Sequence, residues 1–394
     1  MTTIRCLGRN LLLTGAMLLA GALAGMAAEP WSPRDTKAAQ ALVMDGETGA
    51  ILFEKNADKP FPPASLAKLM AMEVVFEAVD KHKVRLDQTF PVSDHAWRTG
   101  GAPSGASTMF AKLKSQVPLD ALIRGVIVQA ANDAAIVIAE GMSGSEEAFA
   151  GLMNDRARQL GLAGSTFVNP TGLPAPGQKV TARDLATLAR HIEEAHPDLY
   201  RIYSEPQFEW NKITQRNRNP LLQQELGATG MGTGFTEAGG YSMVGVTQQD
   251  GRKTFMILGG LPTIKDRQDD ARRMIEWSNS AFRRDVLFDA GARVGKASIY
   301  GGLQPEIDIV THEPLVAFVP TDKPERVKAR VAYDWPLRAP IEDGQKVGRI
   351  EVTIDDSVSV VHDVFAATKV EQGSFAGRAL DAAQELALGW IRAL

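Results

Sequence analysis

The chain has a single cysteine, Cys6, among its 394 residues. That excludes a disulfide framework and a zinc site built from cysteines. Neither sign of charge is in surplus: 43 Lys plus Arg against 47 Asp plus Glu leave a formal net charge of −4. With that balance and no Lys/Arg-rich run, a basic nucleic-acid-binding surface is excluded too. Beyond the N-terminus no segment approaches the ~18 uninterrupted apolar residues of a membrane span. Internal repeats are absent. Hydrophobic residues at 44% and charged residues at 23% are ordinary globular composition, and the length suggests two or three domains.

What is present begins with an export pattern. Arg5 and Arg9 precede an uncharged apolar run from Leu11 to Leu23. Small residues Ala24, Gly25, Ala27 and Ala28 follow, then the polar break Glu29-Pro30. This is the layout of a secretory signal peptide over 1–28, cleaved after Ala27 or Ala28. A retained membrane anchor is the alternative, although the run is short for the ~20 residues a span needs. Cleavage removes the only cysteine, so an exported, thiol-free mature protein is expected.

Residues 29–283 mix helix and strand signals. Ala41–Asp45 and Gly49–Phe53 read as short strands around an Asp-Gly-Glu-Thr-Gly turn. Pro62 and Pro63 end the extended segment. Leu66 to Val79 is then apolar almost all round, the pattern of a helix buried on every side. Further helices are expected at 119–129, 133–141, 146–160, 182–195 and 266–283, with a hairpin joining 241–247 to 254–258. Period-two alternation at 327–333 and 350–354 marks residues 284–378 as a small antiparallel β-domain. Residues 379–394 return to helical spacing: Leu380, Ala383, Ala387, Trp390, Ile391 and Leu394 share one face of an amphipathic helix. The fold class is therefore α/β (α+β), with a β-rich C-terminal domain.

The strongest chemical signal is Pro63-Ala64-Ser65-Leu66-Ala67-Lys68. Ser65 and Lys68 lie three apart at a helix start, so their side chains share a face. A serine hydroxyl needs a base to become a nucleophile, and a lysine in apolar surroundings loses enough charge to serve. No other serine here has a lysine three residues on. A capping serine with a surface lysine is the bland alternative, and the buried helix behind argues against it. Rival patterns fail. The six histidines form no H-E-x-x-H pair and read as scattered surface residues, so no metal or other cofactor is expected. No G-x-S-x-G elbow exists. Gly230-Met231-Gly232-Thr233-Gly234 lacks the third glycine of a dinucleotide loop, since Phe235 stands there.

These motifs resemble the penicillin-binding serine peptidases, whose set is S-x-x-K, S-x-N and K-T-G. More closely, the chain is similar to the low-molecular-mass D-alanyl-D-alanine carboxypeptidases. The matching pieces are Val43-Met44-Asp45, Asn56-Ala57-Asp58, Leu122-Ile123-Arg124-Gly125, Asn132-Asp133-Ala134, Leu160-Gly161-Leu162 and Asn217-x-Asn219. The resemblance implies a β-lactamase/transpeptidase-like catalytic domain, with an antiparallel sheet flanked by a helical cluster. It also implies Ser65 as acyl-ester nucleophile, Lys68 as its general base and Asn132 as orienter of the substrate amide. Thr233 and Arg267 would hold the terminal carboxylate, within the stretch Gly232-Thr233-Gly234-Phe235. Backbone N–H groups of Ser65 and Phe235 would form the oxyanion hole.

Two positions depart from the family pattern. Ala130-Ala131-Asn132 lacks the motif serine that relays a proton to the leaving group, and Gly232-Thr233-Gly234 lacks the motif lysine. No adjacent lysine compensates. Loss of a proton relay costs ~10²–10⁴-fold. Two readings follow: an exported carboxypeptidase acting on peptidoglycan stem pentapeptides and binding β-lactams, or a catalytically weakened homologue that binds peptidoglycan or a partner protein. A β-lactamase is disfavoured, because no glutamate motif supplies a deacylation base. In resembling proteins the terminal helix lies on the outer face of the inner membrane. Here few basic residues support that contact, and packing on the β-domain is the alternative.

Overall fold

The computed structural model describes residues 31–354, 357–375 and 379. The expected signal peptide (1–28) and terminal helix (379–394, Ala379 apart) lie outside the described residues.

The first part of the described chain is built on five antiparallel strands. They are β1 (Gln40–Asp45), β2 (Ile51–Lys55), β3 (Ala228–Thr236), β4 (Gly240–Gln249) and β5 (Arg252–Leu261), in the order β2-β1-β5-β4-β3. The β1–β2 turn forms because Asp45 Oδ1 accepts from both the Thr48 N–H and the Thr48 hydroxyl at 2.8 Å, while Gly49 takes φ +73°. The second strand starts two residues later than the sequence spacing suggests, since Gly49 and Ala50 complete the turn. Along β4 and β5, Ser242–Thr247 and Thr254–Gly259 are buried in unbroken succession, so both faces of the sheet are covered.

Helices α1 (Ala67–Asp80), α2 (Leu119–Gln129), α3 (Asn132–Ser143), α4 (Glu146–Gln159), α5 (Ala182–Ala195) and α6 (Ile264–Ala281) follow the expected spans to within a few residues. Ser145 caps α4 by accepting the Ala148 N–H, and Thr181 caps α5 through Asp184. Each such cap is worth ~1 kcal/mol. Helix α1 is the centre of the cluster. Ala67–Phe76 are buried without interruption, because α2, α4 and α5 all pack against α1. That burial carries Lys68 and Glu73 into the core, where each must find partners.

A six-stranded sheet drawn from residues 293–366 follows, with the strands ordered 327–333, 346–354, 357–366, 306–310, 293–300 and 337–338. Five are antiparallel to their neighbours, and the short 337–338 strand pairs in parallel. A separate two-stranded ladder joins 282–288 to 315–320. From Pro33 onward the described residues form one compact unit. Across it, the Arg284 guanidinium pairs with the Glu47 carboxylate at 2.8 Å, and the Arg252 guanidinium lies 4.6 Å over the Phe318 ring.

Candidate active site

Ser65 lies on a single 3₁₀ turn, Ala64–Leu66, that leads directly into α1. Ala64 holds φ +49°, an uncommon conformation for a residue with a side chain. The turn is wedged between β3 and the 171–172 loop. A Cβ on Gly234 would sit 2.9 Å from the Pro63 carbonyl oxygen, and one on Gly172 only 1.7 Å from that of Ala64. Both glycines are thus required by close backbone approach, and Gly172 also by its φ of +79°.

Lys68 is only 4% exposed. Its Nζ donates to Ser65 Oγ at 3.1 Å, to Asn132 Oδ1 at 2.7 Å and to the Thr171 carbonyl at 2.5 Å. The structure therefore brings Ser65, Lys68 and Asn132 together from the 3₁₀ turn, the start of α1 and the first turn of α3. Burial disfavours the ammonium and drives the Lys68 pKa down to about 7, with nearby Asp133 opposing the shift. Asp133 is itself buried, and it accepts from Thr108 Oγ1 and from the N–H groups of Met109, Ala111 and Ala134 at 2.6–3.0 Å. It ties the 108–111 loop to the start of α3.

A cavity of about 20 Å³, room for roughly one water, opens beside Ser65 and Lys68. Thr233, Gly232 and Ala130 line it, so both departures from the family motifs face the same space. At Gly232 an added Cβ would meet only Leu66 Cδ2, at 3.9 Å. Space does not dictate the glycine. Ala130 ends α2 in the left-handed conformation, φ +52°.

Phe235 and Arg267 lie outside that cavity. Phe235 is 51% exposed and stacks on Tyr241 with centroids 4.3 Å apart. The Arg267 guanidinium, from the first turn of α6, lies 5.7 Å over the same Tyr241 ring. Its buried Nε has no hydrogen-bond partner among the described residues.

Sequence reading missed several participants. Thr171 acts through its backbone carbonyl and Gly172 through lack of a side chain, so neither leaves a residue-type signal. Arg218 lines the Ser65 cavity, and it was visible only as the middle of Asn217-x-Asn219.

The expectation of scattered surface histidines is wrong for two of them. His196 is 4% exposed, with Nδ1 2.5 Å from Asp80 and Nε2 3.2 Å from Glu73. His191 Nε2 lies 3.2 Å from the same Glu73 carboxylate. Glu73, His191 and His196 are close enough to hold a cation together. Arg156, however, already donates to Glu73 at 2.8 Å and contacts His191 at 3.1 Å. The group is an ion-pair network pinning α1 to α4 and α5. Its members lie far apart in sequence, which is why spacing alone did not reveal it.

Comparison with known proteins agrees with this geometry. A family model described as D-alanyl-D-alanine carboxypeptidase matches residues 26–260, and one described as penicillin-binding protein 5, C-terminal domain, matches 282–372. The D-alanyl-D-alanine carboxypeptidase DacC of Escherichia coli is 34% identical over 385 residues, covering 97% of this chain and 96% of that protein. Penicillin-binding protein 5 from Haemophilus influenzae is structurally similar, with a TM-score of 0.73, 32% identity, and coverage of 87% of this chain and 100% of that one. Penicillin-binding protein D2 from Listeria monocytogenes in its ampicillin-bound form matches with a TM-score of 0.53 and 29% identity, over 61% of this chain and 96% of that one. The chain belongs to the D-alanyl-D-alanine carboxypeptidase family of serine peptidases and carries that family's penicillin-binding protein 5 type C-terminal domain.

Proposed function

We propose that this protein removes the terminal D-alanine from peptidoglycan stem pentapeptides through an ester on Ser65. The observation that carries the reading is Lys68: buried, held 3.1 Å from Ser65 Oγ, with its pKa brought to about 7. As an ammonium it serves three acceptors. As a neutral amine it keeps Asn132 and Thr171 and turns its lone pair to the serine hydroxyl. It takes the Ser65 proton as Oγ attacks the penultimate carbonyl carbon. Ser65 and Phe235 N–H groups bind the oxyanion, and the Asn132 amide N–H₂ donates to the substrate backbone. The C–N bond breaks, and Lys68 returns its proton to the departing D-alanine amine. Water then attacks the ester, with Lys68 again as base. Thr233 and Arg267 bind the terminal carboxylate. A β-lactam enters by the same first step and remains attached.

Incubation with penicillin followed by intact-mass measurement should show one adduct, absent from Ser65→Ala. No adduct after long incubation would sink the reading. A second reading, a weakened homologue that binds peptidoglycan without efficient turnover, is favoured by Ala130 and Gly232. It predicts slow D-alanine release and a marked gain in acylation from Ala130→Ser combined with Gly232→Lys. Release at the rate of active relatives would discard it. The proposal includes export by residues 1–28 to the periplasm, with the terminal helix touching the outer face of the inner membrane. Flotation of full-length protein with vesicles, lost on truncation at residue 378, is the expected result.

A further inference from the structure

Among the described strands, β3 alone lines the Ser65 cavity, through Met231, Gly232 and Thr233. It is also an edge of the five-stranded sheet, with no neighbouring strand on the side away from β4. Side chains two apart on a strand share a face, so Thr233 and Phe235 point the same way, about 7 Å apart along the chain. Gly234 between them turns to the other face, where a Cβ would meet Ser242, Pro63 and Ala64.

The Phe235 ring is held in place. It stacks on Tyr241, its direct partner across the β3–β4 ladder, with centroids 4.3 Å apart and planes 29° from parallel. The Tyr241 ring is itself met by the Arg267 guanidinium from α6, 5.7 Å from its centroid. Tyr241 covers one face of the phenyl ring, yet Phe235 is 51% exposed. The other face is therefore open to solvent, and an apolar ring in that state gains free energy when an apolar group covers it.

We propose that the Phe235 ring, on its Tyr241 support, is the subsite for the side chain of the leaving residue, and that it selects terminal D-residues with apolar side chains larger than methyl. The inference rests on the carboxypeptidase reading and names a substrate class for it. In that reading the Phe235 N–H binds the scissile carbonyl oxygen and Thr233 binds the terminal carboxylate. The leaving residue then spans the stretch from Phe235 to Thr233, and its side chain lies within reach of the ring that shares their face. A D-alanine methyl covers little of that ring. The branched side chain of D-leucine covers more.

The test compares diacetyl-L-lysyl-D-alanyl-D-alanine with diacetyl-L-lysyl-D-alanyl-D-leucine on the full-length protein. For the unsubstituted enzyme, kcat/KM for release of the terminal residue should favour D-leucine about 5- to 20-fold, the scale of partly burying a few extra methylenes. Phe235→Ala should bring that ratio to within about twofold of one, whatever it does to both substrates through the strand backbone. Phe235→Tyr keeps the ring and should keep the ratio. A merely structural role would slow both substrates alike and leave the ratio where it was. No preference for D-leucine in the parent, an unmoved ratio in Phe235→Ala, or a lost ratio in Phe235→Tyr would each overturn the proposal. Equilibrium binding of the same two peptides to Ser65→Ala protein, with and without Phe235→Ala, separates recognition from chemistry. If the leucine-ended peptide binds more tightly through Phe235 while the parent releases neither residue, the inference stands and the carboxypeptidase reading falls. If the parent releases both residues without discrimination, that reading stands and the inference falls.

Discussion

Lys68 shows how one buried side chain sets a pH profile. Its basic form is the working form, and its pKa of about 7 lies well below the ordinary lysine value. Penicillin acylation rates should therefore rise about tenfold per pH unit below 7 and level off above it. A rate that falls across that range would contradict the assignment. Lys68→Ala should lower acylation ~10²–10⁴-fold, the usual share of general base catalysis. Gly172 acts by what it lacks. Gly172→Ala would drive a methyl into the Ala64 carbonyl and require a left-handed conformation of alanine. We expect a loss of ~1–3 kcal/mol in denaturant titration, together with slower acylation as the Ser65 turn shifts. At this scale Ser65 and Lys68 were legible, because a nucleophile and a base leave a residue-type pattern. Thr171 and Gly172 were not, because a backbone carbonyl and a missing Cβ leave none.

Among the elements, α1 is held in place by charge as well as by apolar packing. Burial disfavours ionised Glu73, but the hydrogen bond from Arg156 and the His196 and His191 imidazoles, each 3.2 Å away, outweigh it and hold the carboxyl below its ordinary range. Burial likewise disfavours the His196 imidazolium, and Glu73 with Asp80 raise its pKa above the usual value. Glu73 thus stabilises the fold above pH ~4.5 and loses that contribution as pH falls through its depressed pKa. His196 contributes fully below pH ~6.5 and loses its contribution as pH rises through its raised pKa. Stability from this network should peak between those limits, which thermal unfolding across pH 4–9 will show. Glu73→Gln leaves Arg156 and His196 without their buried anion and should cost about 3–5 kcal/mol. The helix spans themselves were legible from periodicity. The network was not, because its residues meet only when α1, α4 and α5 pack.

Across the whole molecule, the catalytic and C-terminal sheets meet through contacts of unequal weight. The Glu47–Arg284 pair is half-exposed, so Glu47→Ala should cost under about 1 kcal/mol. Phe318 is buried beneath the Arg252 guanidinium, and Phe318→Ala should cost about 3–5 kcal/mol. Comparing the two unfolding midpoints checks the ranking. The sequence alone determined the helix and strand spans, the S-x-x-K pair and the resemblance to wall peptidases, because period, turn chemistry and motif spacing are local properties of the chain. Tertiary structure alone decided that Lys68 is dehydrated and that Ala130 and Gly232 face one cavity. Dehydration and convergence depend on which distant segments exclude water from the same point, and local spacing carries no record of that.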